Sequence, residues 1–161
     1  MRLSRCIGAR KRHVALLIKR RRYEMEKEQL AALAKTAMQT AYAPYSGYTV
    51  GAALLCDDGT VYTGCNVENA SYGATNCAER TAFFKAISEG KRKFRAIAIC
   101  GGKHGVVSDE FTPCGVCRQV MREFCDDNFP IYVVSKTDIS AYCLGELLPN
   151  SFGPSQIHKN T

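Results

Sequence analysis

The sequence predicts an α/β/α sandwich, a mixed β-sheet with helices on both faces. Helical and strand-like stretches alternate in the order helix, hairpin, helix, strand, helix, strand, the pattern of a sheet covered by its own crossovers. Residues 94–100 (FRAIAIC) read as a buried strand. At 161 residues and 46% hydrophobic composition the chain is most simply one domain with a real core.

Each element has its own signal. From Met25 to Ala43, alanines with Leu30, Leu33 and Met38 recur at helical spacing among Lys and Glu, and Pro44 ends the run. Residues 49–56 (TVGAALLC) and 60–67 (TVYTGCNV) are strand-like, and Asp57-Asp58-Gly59 between them is a hairpin turn signal. Asn76 followed by Glu79 resembles a helix N-cap with a reciprocal acid, opening a helix to about Ser88 that Gly90 stops. Gly101-Gly102 marks the exit of the strand at 94–100. Pro113 then introduces a helix over 114–126 (CGVCRQVMREFCD), and Ile131-Tyr132-Val133-Val134 reads as another strand.

The net charge of +7 comes from one end of the chain. Residues 1–24 hold nine of the 22 Lys/Arg and one acid, Glu24, which leaves thirteen basic against fourteen acidic residues from Met25 onward. The near-neutral body carries no nucleic-acid footprint. The apolar run Val14-Ala15-Leu16-Leu17-Ile18 is too short for a membrane span, and Lys19-Arg20-Arg21-Arg22 follows where a signal cleavage site would stand. Residues 1–24 read as a disordered leader, with a transit peptide or surface-binding arm as the other reading. The polar tail 155–161 is also expected to be disordered.

Nine cysteines are an odd count, in a chain with too much core to need staples. Cys56, Cys65, Cys100, Cys125 and Cys143 lie within or beside apolar stretches, where cysteine acts as a small hydrophobe. Reduced thiols and a cytoplasmic setting follow. The remaining motifs are Cys77-Ala78-Glu79 and Pro113-Cys114-Gly115-Val116-Cys117, at the starts of two helices. Three thiolates can hold a tetrahedral Zn²⁺ and leave its fourth position open, while Glu79 is free to move protons. Helix N-termini favour thiolate over thiol. Arg80 is the candidate for neutralising the sulfurs, with a surface ion pair as its ordinary alternative. His13, His104 and His158 fall in the leader, a Gly-rich loop and the tail, and are expected to be exposed. Alone, Cys114-x-x-Cys117 also admits a redox motif or half a structural zinc site, readings that the companion Cys77-Ala78-Glu79 on a second helix start disfavours.

Residues 25–154 resemble a cytidine deaminase of the small homotetrameric type. The resemblance rests on Pro44-Tyr45-Ser46, Val50-Gly51-Ala52-Ala53-Leu54, Gly64-Cys65-Asn66-Val67-Glu68-Asn69-Ala70, Asn76-Cys77-Ala78-Glu79-Arg80-Thr81-Ala82, Pro113-Cys114-Gly115-Val116-Cys117-Arg118-Gln119 and Leu147-Leu148-Pro149. It implies a three-layer α/β/α sandwich with a mixed five-stranded sheet over 25–154, and one Zn²⁺ per subunit on Cys77, Cys114 and Cys117. It further implies that Glu79 is the proton carrier for hydrolytic deamination of cytidine and deoxycytidine in pyrimidine salvage. The Ala78 N–H holds the ring O2, and the Thr112 carbonyl lies near the departing ammonia. Asn66 and Glu68 take the ribose, Tyr48 packs on the nucleoside, and Tyr72 and Phe152 reach a neighbouring subunit's site. Two positions depart from the family pattern: Tyr48 stands for a common Phe, and Thr49 for the usual Pro. A deaminase of a cytosine-nucleoside antibiotic of the blasticidin type, a non-catalytic zinc-binding module and a Cys-x-x-Cys redox protein are the alternatives.

Overall fold

The structure is a computed structural model and describes residues 26–157. The basic leader 1–24 and residues 158–161 of the expected tail lie outside the described residues.

Helix α1 spans 26–38 and buries Leu30, Ala31, Ala34 and Met38, which recur three and four residues apart along one face. It ends at 38 and not at Ala43. The Gln39, Thr40 and Ala41 amides turn back onto carbonyls three residues earlier, and Tyr42 then pairs with the backbone of Asn66 and Glu68 at 3.0 and 2.8 Å. That bridge takes the chain away from the helix axis before Pro44 is reached.

Five strands follow: β1 (Tyr48–Cys56), β2 (Val61–Cys65), β3 (Phe94–Lys103), β4 (Pro130–Val134) and β5 (Ile139–Cys143). They form one sheet in the order β2-β1-β3-β4-β5, with β3–β4 parallel and the other neighbours antiparallel. The mixed five-stranded sheet is therefore as expected. Gly59, at φ 89, closes the β1–β2 hairpin at the Asp57-Asp58-Gly59 turn.

Strand alternation sorts the apolar residues into two cores. Ala52, Leu54, Ile97, Ile99, Ile131 and Val133 face helices α2 (Ala78–Ser88) and α3 (Gly115–Phe124). Ala53, Leu55, Ala96, Ala98, Cys100, Tyr132 and Val134 face α1 on the other side. The helices come very close to the sheet. A Cβ at Gly51 would run into the α1 backbone at Ala34 and Met38, and one at Gly64 would run into α2 at Ala78 and Ala82. Both positions are glycine because only hydrogen fits there.

Other boundaries also moved. Gly101 and Gly102 do not end β3; they pair with Val50 and Thr49 and continue the strand to Lys103. They are glycine to let the Phe111 ring and the Val106 carbonyl approach. Strand β5 escapes pattern reading because this half-exposed edge (ISAYC) lacks a clear apolar face. Short helices α4 (Leu144–Leu147) and α5 (Pro154–Ile157) complete the described residues, so one helical turn covers the start of the tail expected to be disordered from Ser155. The Gly153 amide donates to Gln156 Oε1 at 2.8 Å and closes that turn. Parallel β3 and β4 are joined through α3, which sets the start of α3 at the carboxyl end of β3, where α/β sheets carry their sites.

Candidate metal centre

Cys77 is the N-cap of α2, at φ −78° and ψ 156°, and Cys114 is the N-cap of α3, at φ −67° and ψ 164°. Neither thiol caps its own helix, so both sulfurs are free to point elsewhere. The expected cap Asn76 stands one residue earlier and donates from Nδ2 to Thr81 Oγ1 at 3.0 Å, and the expected capping box does not form. The shift places Glu79 in the first turn of α2, buried at 4% exposure. Cys117, one turn into α3, is 1% exposed, while Cys114 faces solvent.

These three sulfurs converge. The Sγ atoms of Cys77, Cys114 and Cys117 all lie within 4.8 Å of one another, and Cys77 and Cys114 stand 3.8 Å apart. Zinc–sulfur bonds of about 2.3 Å at tetrahedral angles put sulfurs about 3.8 Å from each other, so the set fits a zinc ion. Arg80 adds to the fit. Its Nη2 lies 3.6 Å from Cys77 Sγ and donates to the Thr75 carbonyl at 2.9 Å. Its buried Nε has no hydrogen-bond partner among the described residues, a donor left over beside electron-rich sulfur.

The electrostatics match that layout. A hydrogen bond from Cys117 and then Arg80 lower the Cys77 thiol to about 5, against the pull of burial. Cys117 is pushed up, first by that same bond and then by burial, as the donor in the pair. Burial pushes the Glu79 carboxyl up to about 7; its own backbone N–H and the Cys117 thiol oppose the rise, and the Cys77 thiolate adds to it. The Cys117 contact puts Glu79 beside the sulfur cluster. Ala78, fully buried, is the first residue of α2, where a backbone N–H has no acceptor within the helix.

The other expected site residues fall into three places. Val67 and Asn76 pair through both backbone groups, at 2.9 and 3.0 Å, and bring the loop after β2 to the start of α2. On that loop Glu68 accepts from the Tyr45 and Ser46 amides at 2.9 and 3.2 Å and from Ser46 Oγ at 2.5 Å. Tyr45, Ser46, Glu68, Tyr72 and Thr75 line a cleft of about 370 Å³, with Tyr72 edge-on to Tyr45. Thr75 joins this cleft to Arg80.

Asn66 is turned inward. Its Oδ1 accepts from the Val50 amide and its Nδ2 donates to the Tyr48 carbonyl, both at 2.8 Å, so the amide holds β1 in place. The Tyr48 ring leans on Phe111 with centroids 6.2 Å apart, and Phe111 leads into Thr112 and Cys114. Phe152 lies against Gln119 of α3 and is 61% exposed. His104 is exposed, as expected, and packs over Gly47.

Sequence reading missed Phe111, Thr75 and Arg118 as parts of the site. Arg118 donates to the Pro113 and Leu147 carbonyls at 2.7 Å each, and lies 3.4 Å from Thr112 Oγ1. Its place next to Cys117 was visible, but its partners are set by tertiary folding.

Three converging thiols with a shielded carboxylate at the sulfurs define a metal-dependent hydrolytic enzyme. Comparison with known proteins narrows the class. Residues 24–133 match the family described as the cytidine and deoxycytidylate deaminase zinc-binding region. A cytidine deaminase of Sporosarcina psychrophila is 50% identical over 134 residues, covering 83% of this chain and 96% of that one. Crystal structures of cytidine deaminases superpose with TM-scores of 0.72 for Burkholderia pseudomallei, at 47% identity, and 0.67 for Mycobacterium tuberculosis, at 44%. They cover 78% of this chain in both cases, and 98% and 96% of their own. The chain belongs to the cytidine and deoxycytidylate deaminase family, whose shared region binds zinc.

Proposed function

We propose that this chain hydrolyses cytidine and deoxycytidine to uridine and deoxyuridine with release of ammonia. The observation that carries the reading is the buried Glu79 set against the Cys77–Cys114–Cys117 cluster. In this reading the three thiolates hold one Zn²⁺, and Arg80 offsets their charge. Bound zinc supplies the Lewis acidity that brings the ionisation of water to about pH 7.

The protein's own residues carry the protons and hold the substrate. Glu79 takes the first proton that water gives up and passes it to N3 as the oxygen attacks C4. It then takes the second and delivers it to the 4-amino group. The C4–N bond breaks, ammonia leaves past the Thr112 carbonyl, and C4 keeps the water oxygen as a carbonyl. The Ala78 N–H donates to the ring O2. Glu68, fixed by Tyr45 and Ser46, accepts from a ribose hydroxyl with its remaining lone pair. Asn66 assists by holding β1 and by its second amide hydrogen, and Tyr48 packs on the nucleoside.

Tyr72 and Phe152 serve a neighbouring subunit in a homotetramer. Their exposure, 75% and 61%, supports this, as does that of Tyr42, Tyr45 and Phe84. The eight cysteines among the described residues are free, in keeping with a cytoplasmic salvage enzyme. Among the described residues no helix is long and apolar enough to cross a membrane.

The test follows the ultraviolet absorbance change from cytidine to uridine, before and after zinc is stripped and restored. Zinc-dependent turnover is the expected result. No turnover by fully loaded protein overturns the reading and directs attention to modified cytosine nucleosides.

A further inference from the structure

We infer that Arg118 and Gln119 are positioning residues that pin Phe152 to the outer face of α3 and join it to the loop presenting Cys114. The inference rests on the proposed role of Phe152 and adds the means by which that ring is held.

The backbone around Phe152 is fixed while its ring is not packed. Gln119 Nε2 donates to the Phe152 carbonyl at 2.9 Å. The next residue, Gly153, packs on the Arg122 side chain of α3, which a Cβ there would meet at 3.1 Å. Phe152 as a residue nevertheless remains 61% exposed. A phenylalanine kept for local packing buries its ring. Here the carbonyl is held and the ring is displayed, the arrangement of a side chain offered to something outside its own fold.

One turn of α3 does both jobs. Cys114 and Cys117 point to the metal side. Arg118 spreads its guanidinium over the Pro113 carbonyl, the Leu147 carbonyl and Thr112 Oγ1, using all three nitrogens. Leu147 ends α4, so its carbonyl lacks a partner in its own helix. The segment that carries Phe152 and the loop that carries Cys114 therefore hang on adjacent side chains. Three separate nitrogens of one planar fork reach these three acceptors, and the single nitrogen of an ammonium does not replace them.

The chain has no tryptophan, so Phe152→Trp installs a single fluorescent reporter in the full-length protein. With F152W, adding Gln119→Ala or Arg118→Lys is expected to lower the anisotropy and increase quenching by acrylamide. On the native ring, Gln119→Ala is expected to raise KM for cytidine about 3- to 10-fold, the loss of one aromatic contact, and to affect kcat far less. Gln119→Asn, too short to reach the carbonyl, behaves as Gln119→Ala. Arg118→Lys lowers kcat as well, because it also loosens the Cys114 loop.

Unchanged anisotropy and KM in Gln119→Ala overturn the inference. If Phe152→Ala raises KM while Gln119→Ala does not, the tether is wrong and the role of the ring stands. If Phe152→Ala leaves KM unchanged in an active enzyme, the role of the ring and the tether fall together.

Discussion

The starts of α2 and α3 share one geometry and differ in burial. Both are capped by a cysteine in extended conformation whose sulfur leaves its own helix and turns to the common centre. At α2 the first turn is sealed: Ala78 is fully buried and Glu79 is 4% exposed. At α3 the start is open on one side, with Cys114 and Gly115 at the surface and Val116 58% exposed, while Cys117 is 1% exposed. The sheet explains the contrast. Helix α2 presses on β1 and β2 through the gap at Gly64, whereas the start of α3 is held from its side by Arg118. One helix start shields the carboxyl of Glu79, the proposed proton carrier, and the other leaves its cysteine cap at the surface. Matching thiols thus stand at two helix ends of unlike burial, which in the proposed function divides chemistry from access.

The largest test of that division is Glu79→Gln. It keeps the shape of the sealed turn and removes the proton carrier, so kcat is expected to fall about 10²- to 10⁴-fold with zinc content unchanged. Loss of zinc in that variant would break the contrast by making the α2 start a mere metal clamp. Thiol labelling sharpens it next. In zinc-free protein at pH 7, Cys77, lowered to about 5, should alkylate about 100-fold or more faster than Cys125, which burial at the far end of α3 pushes up to about 12. Peptide mapping reads both rates, and added zinc should protect Cys77.

A smaller pair of effects tests the packing directly. Gly64→Ala drives a methyl into the α2 backbone at Ala78 and Ala82, and should lower stability by about 1–3 kcal/mol in urea unfolding. Gly115→Ala meets nothing within 4 Å at the open helix start. It should be neutral or raise stability by up to about 1 kcal/mol. Equal losses at the two glycines would erase the distinction between a sealed and an open end.

The converging thiols were legible because metal chemistry demands side-chain types at fixed spacing, and Cys77-x-Glu79 with Cys114-x-x-Cys117 meets that demand locally. Strands β1 to β4 were legible from apolar runs, while β5 was not, since a half-exposed edge carries little pattern. Gly101 and Gly102 misled because glycine reads as punctuation in sequence; in the fold they make room for Phe111 and Val106. Asn76 misled in the same way: a good cap residue stands next to a cysteine that takes the cap position instead. The work of Arg118, Thr75 and Asn66 was hidden because most of their hydrogen bonds run through a backbone carbonyl or amide, which no residue type in the sequence marks.

The 3.8 Å approach of Cys77 and Cys114 spans 37 residues of chain. An ion held between them closes a loop that contains the whole of α2 and β3. Closing a loop of that length removes about 4 kcal/mol of chain entropy from the unfolded state, by the relation used for cross-links. The catalytic ion is then also a mechanical brace on the central strand of the sheet. Starving the protein of zinc would cost it resistance to unfolding and proteolysis along with its turnover.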